Sequence, residues 1–275
     1  MQTEDKEYDG VGGIAFFVVL LGLLTYWDAN MKIRLLFSHD WAARWVDDRI
    51  AAMSRQLFVL ARFFTGFGIE FSSDVAEMNH KQYLVVSNHQ SLADIPVIRA
   101  ALPDLKLRFV AKKELKWGFP GVSTALRVGR HALVHRKSNM HKGMAELRRL
   151  GRMARNSDIS PVVFAEGTRS RNGDVLPFRG GAIRVLNNEQ PLPVMVIAVD
   201  GGYRFGKLRQ VIEHLRGAVY RIKIVAVLPA AHNRDELTDA LSTAEELVRK
   251  QIGVWRSGEK RGTDIIPRSL QLPRP

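Results

Sequence analysis

An uncharged apolar run near the amino terminus restricts the folds open to this chain more than any other feature. It extends from Val11 to Trp27. As a helix with a rise of 1.5 Å per residue it would reach about 26 Å, near the lower limit for crossing a bilayer. We expect a membrane anchor that either spans the bilayer or lies partly sunk in one leaflet. A cleaved signal peptide fits less well, because the preceding residues are acidic and no small-residue cleavage site follows.

Basic residues around this run predict its orientation. Only Lys6 precedes it, whereas Lys32, Arg34 and Arg44 follow it. Because positive residues favour the cytoplasmic side, we expect the rest of the chain at the cytoplasmic face of an inner or cytoplasmic membrane. The whole chain has 41 Lys and Arg against 28 Asp and Glu, a net charge of +13. Such an excess suggests an anionic partner, such as nucleic acid, a membrane surface or a phosphorylated metabolite.

The next segment, Asp40 to Phe67, is predicted to form an amphipathic helix, since its apolar residues recur at helical spacing. Two interpretations stay open for it. The helix either packs on the core of the protein or lies at the membrane interface with its tryptophans at headgroup depth.

After Gly68 the pattern changes to short β-rich runs separated by helical stretches. This order predicts an α/β domain with a central mixed sheet flanked by helices. Ser138 can cap a helix that ends near Arg155, and Asn233 with Glu236 forms a capping box for a helix that ends near Ile252. We predict three parts: membrane-anchoring helices over 1–67, the α/β domain over 68–255 and a basic flexible tail over 256–275. The predicted strands are Tyr83 to Val86, Leu107 to Ala111, Ala132 to Val134, Val162 to Ala165, Val194 to Val199 and Tyr220 to Leu228.

A histidine and an aspartate lie where the first of these strands gives way to a helix. Five helical residues turn through about 500°, so His89 and Asp94 would lie on different faces of one regular helix. They can meet only if His89 precedes the helix and bends back toward it. The carboxylate would then fix the imidazole tautomer, and His89 could act as a general base. The sequence has no Gly-x-Ser-x-Gly elbow, so the substrate's own hydroxyl is the natural group to deprotonate.

A second polar group follows the strand that ends at Ala165. Glu166, Gly167, Thr168 and Arg169 crowd into a turn there. Guanidinium forks, hydroxyls and free amides at the carboxyl end of a strand are groups that bind phosphate. The chain has no cysteine, so disulfides, cysteine-ligated metals and a cysteine nucleophile are excluded. His131 and His135 share one side of a predicted strand, but no third ligand is evident, and we expect no metal site.

The ordered blocks of residues between Tyr83 and Val199 resemble the glycerolipid acyltransferases, whose best-known members act on lysophosphatidic acid. The chain departs from the family at Ala165, where proline is usual, and at His135, where aspartate is common. The blocks that carry the resemblance are Asn88-His89 with Asp94, the apolar strand that ends at Arg136, the FAEGTRS segment from Phe164 to Ser170, the proline-opened strand at Pro193, and the FVAKKEL and PFRGGA segments.

The resemblance implies roles for these residues. His89 would be the base and Asp94 would orient it, while Arg136, Glu166, Gly167, Thr168 and Arg169 would bind the acceptor. Lys112 or a backbone amide is a candidate to stabilise the oxyanion. No cofactor or metal is implied; acyl-CoA or acyl carrier protein would supply the acyl group.

We therefore expect an enzyme that acylates lysophosphatidic acid to phosphatidic acid at a membrane. Other acceptors stay open, among them glycerol 3-phosphate, another lysophospholipid or an aminolipid. A basic adaptor that binds a membrane or nucleic acid is the non-enzymatic alternative. The sequence has no aromatic and basic nucleic-acid module, so we expect no nucleic-acid partner.

Overall fold

A computed structural model describes residues 4–134, 140–205 and 214–258. These residues form a seven-stranded mixed sheet with the order β1-β7-β6-β2-β5-β3-β4. Only β6 and β7 pair in antiparallel fashion, and the other neighbours are parallel. The strands are β1 Gly68–Ser73, β2 Leu84–Ser87, β3 Lys106–Lys112, β4 Ala132–Val134, β5 Ile159–Phe164, β6 Val194–Asp200 and β7 Val219–Leu228.

Helices flank both faces of this sheet, which confirms the expected fold class. Short 3-10 turns at Lys113–Lys116 and Gly202–Phe205 follow β3 and β6. The helices are α1 Glu4–Phe37, α2 His39–Thr65, α3 Asp94–Ala101, α4 Val122–Val128, α5 Met140–Asn156, α6 Gly181–Glu189 and α7 Arg234–Ser257.

The two faces of the sheet bury separate apolar clusters. Because side chains alternate along a strand, Tyr83 and Val85 point to one face and Leu84 and Val86 to the other. The first cluster includes residues of α2 and α3, and the second includes residues of α5, α6 and α7. Burial on both faces explains why β2 and β6 are continuous apolar runs without an alternating pattern.

The first two helices form a hairpin that packs on the domain. Ser38 separates them and caps α2 by accepting a hydrogen bond from the amide of Trp41. Trp27 and Val46 are buried between the helices, while Phe58 enters the cluster beneath the sheet. α2 therefore packs on the core of the protein, as one interpretation of the second segment expects; its placement at a membrane interface stays a prediction. Among the described residues, one helical segment is long and apolar enough to cross a membrane: Gly12–Phe37, which is part of α1.

The structure differs from the predicted elements at both ends of the α/β domain. β1 was not predicted, since only two of its six residues are buried and its partner β7 lies far along the chain. α7 ends at Ser257, past the predicted start of the tail, because its apolar positions continue to Trp255 on the sheet. Ser138 and residues 259–275 lie outside the described residues.

Candidate active site

The candidate site lies at the carboxyl ends of β2 and β5. Beyond the end of β2, the Asn88 side chain continues the pairing with β6 by exchanging two hydrogen bonds with the backbone of Val199, at 2.8 and 2.9 Å. The amide of Ala165 donates to the carbonyl of Ser87 at 2.9 Å. A proline at position 165 would lack this donor, so alanine extends the pairing between β2 and β5 here. The backbone that leads into His89 is therefore fixed by both neighbouring strands.

His89 and Asp94 meet as a hydrogen-bonded pair. The distance from His89 Nδ1 to Asp94 Oδ2 is 2.6 Å. Asp94 is the first residue of α3, and His89 lies in the turn before it, which is the geometry that the spacing requires. The amides of Gln90 and Ser91 also donate to the Asp94 carboxylate, at 2.7 and 3.1 Å. These donors hold the carboxylate at the start of the helix.

The contact with Asp94 determines which nitrogen of His89 is free. A carboxylate only accepts hydrogen bonds, so neutral His89 carries its proton on Nδ1 and keeps a lone pair on Nε2. The imidazole ring stacks on Phe164, with ring centroids 4.0 Å apart and an interplanar angle of 13°. The side chain stays 13% exposed, whereas Asp94 is fully buried. The pair thus holds an oriented imidazole whose Nε2 is available to a proton.

A tyrosine from β7, which is separated from β2 by β6, completes the surroundings of Asp94. The hydroxyl of Tyr220, on β7, donates to Asp94 Oδ1. Burial and the neighbouring carboxylate raise the pKa of Tyr220 well above its usual value. The tyrosine therefore stays a donor at every physiological pH. A Cβ atom added at Gly202 would lie 2.7 Å from this hydroxyl, so the close approach requires glycine.

The turn after β5 is joined to His89 by the backbone. The amide of Ser170 donates to the carbonyl of His89 at 2.7 Å. Gly167 adopts a left-handed φ of 65°, which favours glycine. Thr168 is half-buried, and Gly167 and Arg169 are exposed. The structure thus brings the predicted acceptor-binding turn against the His89–Asp94 pair. Arg169, the cation of this turn, is exposed to solvent.

Glu166 differs from the rest of this turn because its side chain is buried. Only 1% of the residue is exposed. Burial raises its pKa from an ordinary 4.5 to about 8. The amides of His89 and Leu176 lower that pKa in part, but no described residue makes a well-formed hydrogen bond with the carboxyl oxygens. At neutral pH Glu166 is mostly protonated and can donate a hydrogen bond.

The raised pKa of Glu166 makes folding stability depend on pH. The folded state keeps a proton that the unfolded state releases between pH 4.5 and about pH 8, so this group lowers stability as pH rises through that range. We expect Glu166→Gln to flatten this dependence, and its stability relative to wild type should rise by about 4 kcal/mol between pH 5 and pH 8.5. Urea unfolding at both pH values measures the difference. Equal pH dependence in both proteins would contradict a buried neutral Glu166.

The other predicted site residues have less defined surroundings. Lys112 is exposed at the carboxyl end of β3, at the same sheet edge as His89. Arg136 and His135 lie outside the described residues. His131 is half-buried and accepts a hydrogen bond from the amide of Phe109 at 2.8 Å; desolvation of its ring and the charge of Arg108 lower its pKa to about 3. The described residues contain no group of three or more metal-ligating side chains.

Sequence reasoning missed the polar residues that support the site from distant strands. Tyr220 is one. Another is Asp200, at the end of β6, which accepts from the Gln90 side chain at 3.0 Å and from Arg256 of α7 at 3.0 Å. No motif or spacing in the sequence identifies these residues, since they act through contacts made by the sheet.

The fold and the site together define an α/β protein with an oriented histidine beside a turn that carries an exposed arginine. A family model described as Acyltransferase matches residues 69–199. A 1-acyl-sn-glycerol-3-phosphate acyltransferase of Cocos nucifera is 30% identical over 142 residues, which cover 51% of this chain and 43% of that protein. The alpha form of Mus musculus is 30% identical over 147 residues, which cover 53% of this chain and 50% of that protein.

A solved structure shares the fold. The crystal structure of the 1-acyl-sn-glycerophosphate acyltransferase PlsC from Thermotoga maritima has a TM-score of 0.66 and 21% sequence identity. The match covers 95% of this chain and all of that one. The resemblance to the glycerolipid acyltransferases is confirmed, since residues 69–199 match the acyltransferase family model. The chain spans about half the length of the curated relatives that it matches.

Proposed function

We propose that this protein transfers a fatty acyl group from an acyl thioester to the free hydroxyl of lysophosphatidic acid and so makes phosphatidic acid for phospholipid synthesis. The observation that carries the proposal is the His89–Asp94 pair, whose histidine is joined by a backbone hydrogen bond to the turn that holds Glu166 to Arg169. The relatives from Cocos nucifera and Mus musculus are named for this type of acceptor.

His89 would act as the base in a direct transfer. Its Nε2 takes the proton of the acceptor hydroxyl while the hydroxyl oxygen attacks the thioester carbonyl. The tetrahedral intermediate then collapses, the carbon–sulfur bond breaks, and the imidazolium returns the proton to the leaving thiolate. Asp94 stabilises the imidazolium that forms between these steps. No covalent acyl-enzyme is needed, in keeping with the absence of cysteine.

Residues of the turn after β5 would hold the acceptor. Arg169 is exposed, and its guanidinium can bind phosphate oxygens bidentately, with Thr168 as a further donor. We assign Arg136 to the same phosphate by family resemblance. We assign Glu166 to acceptor binding by family resemblance as well; its buried, protonated carboxyl adds no negative charge that would repel the phosphate of the acceptor. Lys112, or a backbone amide at this edge, is our candidate to stabilise the oxyanion.

A transfer assay with a panel of substrates tests this proposal. Purified full-length protein is given labelled acyl-CoA or acylated carrier protein, each with lysophosphatidic acid, glycerol 3-phosphate, lysophosphatidylglycerol or an aminolipid. We expect labelled phosphatidic acid as the main product with one or both donors. A product on another acceptor only would replace the acceptor, and no product with any pair would contradict acyl transfer.

We further propose that the hairpin of α1 and α2 lies in one leaflet, with the catalytic domain on the cytoplasmic side. Apolar side chains on its surface are exposed at both ends, among them Val18 at 63%, Phe63 at 80% and Phe37 at 76%. α2 packs along α1 and carries charges along its length, such as Asp48 and Arg62. A bilayer-spanning hairpin would place those charges in hydrocarbon, whereas an interfacial hairpin keeps them in water.

Removing exposed apolar groups from the hairpin should therefore weaken membrane binding. We expect Val18→Ser combined with Phe37→Ser and Phe63→Ser to lower partitioning into liposomes at least tenfold, because each side chain loses about 2 kcal/mol of apolar burial. Flotation of the full-length protein with liposomes measures the change. Met78→Ser with Met140→Ser, which changes two exposed residues outside the hairpin, is the control. Equal losses in both variants would contradict the assignment.

A further inference from the structure

A second polar cleft lies at the opposite end of the sheet from His89. It has a volume of about 510 Å³ and lies between α2, α5 and the amino ends of β3 and β5. Ile159, the first residue of β5, lines the cleft, whereas Glu166 of the candidate active site lies seven residues later, just past the other end of that strand. At about 3.3 Å per residue, the two sites are about 20 Å apart. The cleft is therefore separate from the candidate active site.

Arginines dominate the lining of this cleft. Arg108 is the most buried of them, with 8% of its side chain exposed, and its guanidinium pairs with Asp47 at 2.7 Å. Its Nε atom has no hydrogen-bond partner among the described residues. Burial and the nearby Arg108 lower the pKa of Arg99, which lies behind it, to about 10. The charged residues that line the cleft are Arg44, Arg108, Arg130, Arg149, Arg152, Asp40 and Asp47.

The partners of the other arginines show which are available to a ligand. Arg130 pairs with Asp40, and Arg149 donates to the carbonyl of His131 at 2.9 Å. Arg44 is exposed and makes no ion pair with any described residue. Arg152 reaches only Glu189, at 3.9 Å. Arg44 on α2 and Arg152 on α5 thus present guanidinium groups from two sides of a cleft that is already positively charged.

We propose that this arginine cleft binds the phosphate of an anionic phospholipid headgroup. Guanidinium groups match phosphate oxygens bidentately, and a small anion can reach the recessed Arg108, which a protein surface cannot. The cleft also begins at Asp40, three residues after Phe37, whose side chain is 76% exposed at the end of the hairpin. A lipid phosphate in the cleft leaves its acyl chains beside that apolar tip. Free phosphate offers the same chemistry without the chains.

Thermal unfolding of the full-length protein in a non-ionic detergent tests the proposal. The ligands are inorganic phosphate, short-chain phosphatidylglycerol and short-chain phosphatidylcholine, with chloride at matched ionic strength. We expect phosphate and phosphatidylglycerol to raise the melting temperature of the wild type. Arg44→Gln with Arg152→Gln should weaken the apparent affinity for both at least tenfold. Both side chains are largely exposed, so the unliganded variant should melt at the wild-type temperature.

Arg55→Gln with Arg148→Gln is the matched control. Arg55 lies on the same helix as Arg44, and Arg148 on the same helix as Arg152, but neither lines the cleft. Eleven helical residues return to nearly the same face about 16 Å away, so Arg55 lies on the same face of α2 as Arg44 but outside the cleft. The control should keep wild-type affinity. Equal losses in the two double variants would overturn the proposal in favour of diffuse surface charge.

The ligand series distinguishes the two sources of phosphate. Stabilisation by inorganic phosphate but not by phosphatidylglycerol would overturn the lipid assignment and leave a site for a soluble phosphate. No stabilisation by either ligand would overturn the site itself. These outcomes do not depend on acyl transfer, because binding is measured without an acyl donor.

Discussion

Replacing His89 with alanine should lower kcat for acyl transfer about 10³-fold. General-base catalysis contributes about 10²- to 10⁴-fold, and here one nitrogen is oriented for that role by Asp94 and by stacking on Phe164. KM for the acceptor should change little, since the predicted phosphate contacts lie in the turn after β5. Initial rates with the donor and acceptor found in the substrate panel measure both constants.

Chemical rescue separates catalysis from structure at this position. His89→Ala leaves a cavity between Phe164 and Asp94, and free imidazole can enter it and accept the proton. We expect imidazole to restore part of the activity, with circular dichroism unchanged from wild type. His141→Ala changes an exposed histidine on α5 and should be fully active. Full activity of His89→Ala would show that the histidine is structural.

The order of elements was predictable from the sequence because each buried strand is a compact apolar run. β4 matches its prediction fully and β6 within one residue. β5 begins three residues earlier than predicted, at Ile159. The first three residues of β5 were not predicted as strand because Ser160 is polar and Pro161 belongs to a residue type that is rare within a central strand. Tertiary contacts stabilise the strand there, since Ser160 is fully buried and its hydroxyl accepts a hydrogen bond from the amide of Tyr83 at 3.1 Å.

The candidate site was predictable as far as its local geometry extends. The five-residue spacing of His89 and Asp94, at a strand-to-helix turn, required the histidine to bend back to the helix start, and the structure shows that contact. The third partner of Asp94 could not be predicted. Tyr220 lies 126 residues away and meets the carboxylate only because β7 joins the sheet beside β6. Burial of Glu166 likewise follows from packing and not from its motif.

Asp94→Asn should lower kcat on the order of 10³-fold, because it disrupts the hydrogen bonds that the Asp94 carboxylate accepts. The carboxylate accepts from His89, Tyr220 and the amides of Gln90 and Ser91. An asparagine has one acceptor oxygen, so its NH₂ group must face a donor, and His89 loses both its fixed tautomer and the charge that stabilises the imidazolium. Steady-state kinetics should show the loss in kcat, with KM near the wild-type value.

Tyr220→Phe is the matched test of how Asp94 is held, because it removes one donor and keeps both the ring and the carboxylate charge. We expect kcat to fall only about tenfold, which corresponds to one hydrogen bond to a charged group. In the double variant Asp94→Asn with Tyr220→Phe, removing the hydroxyl should add little, since the carboxylate through which it acts is already gone. Losses that multiply in the double variant would instead show that Tyr220 acts independently of Asp94.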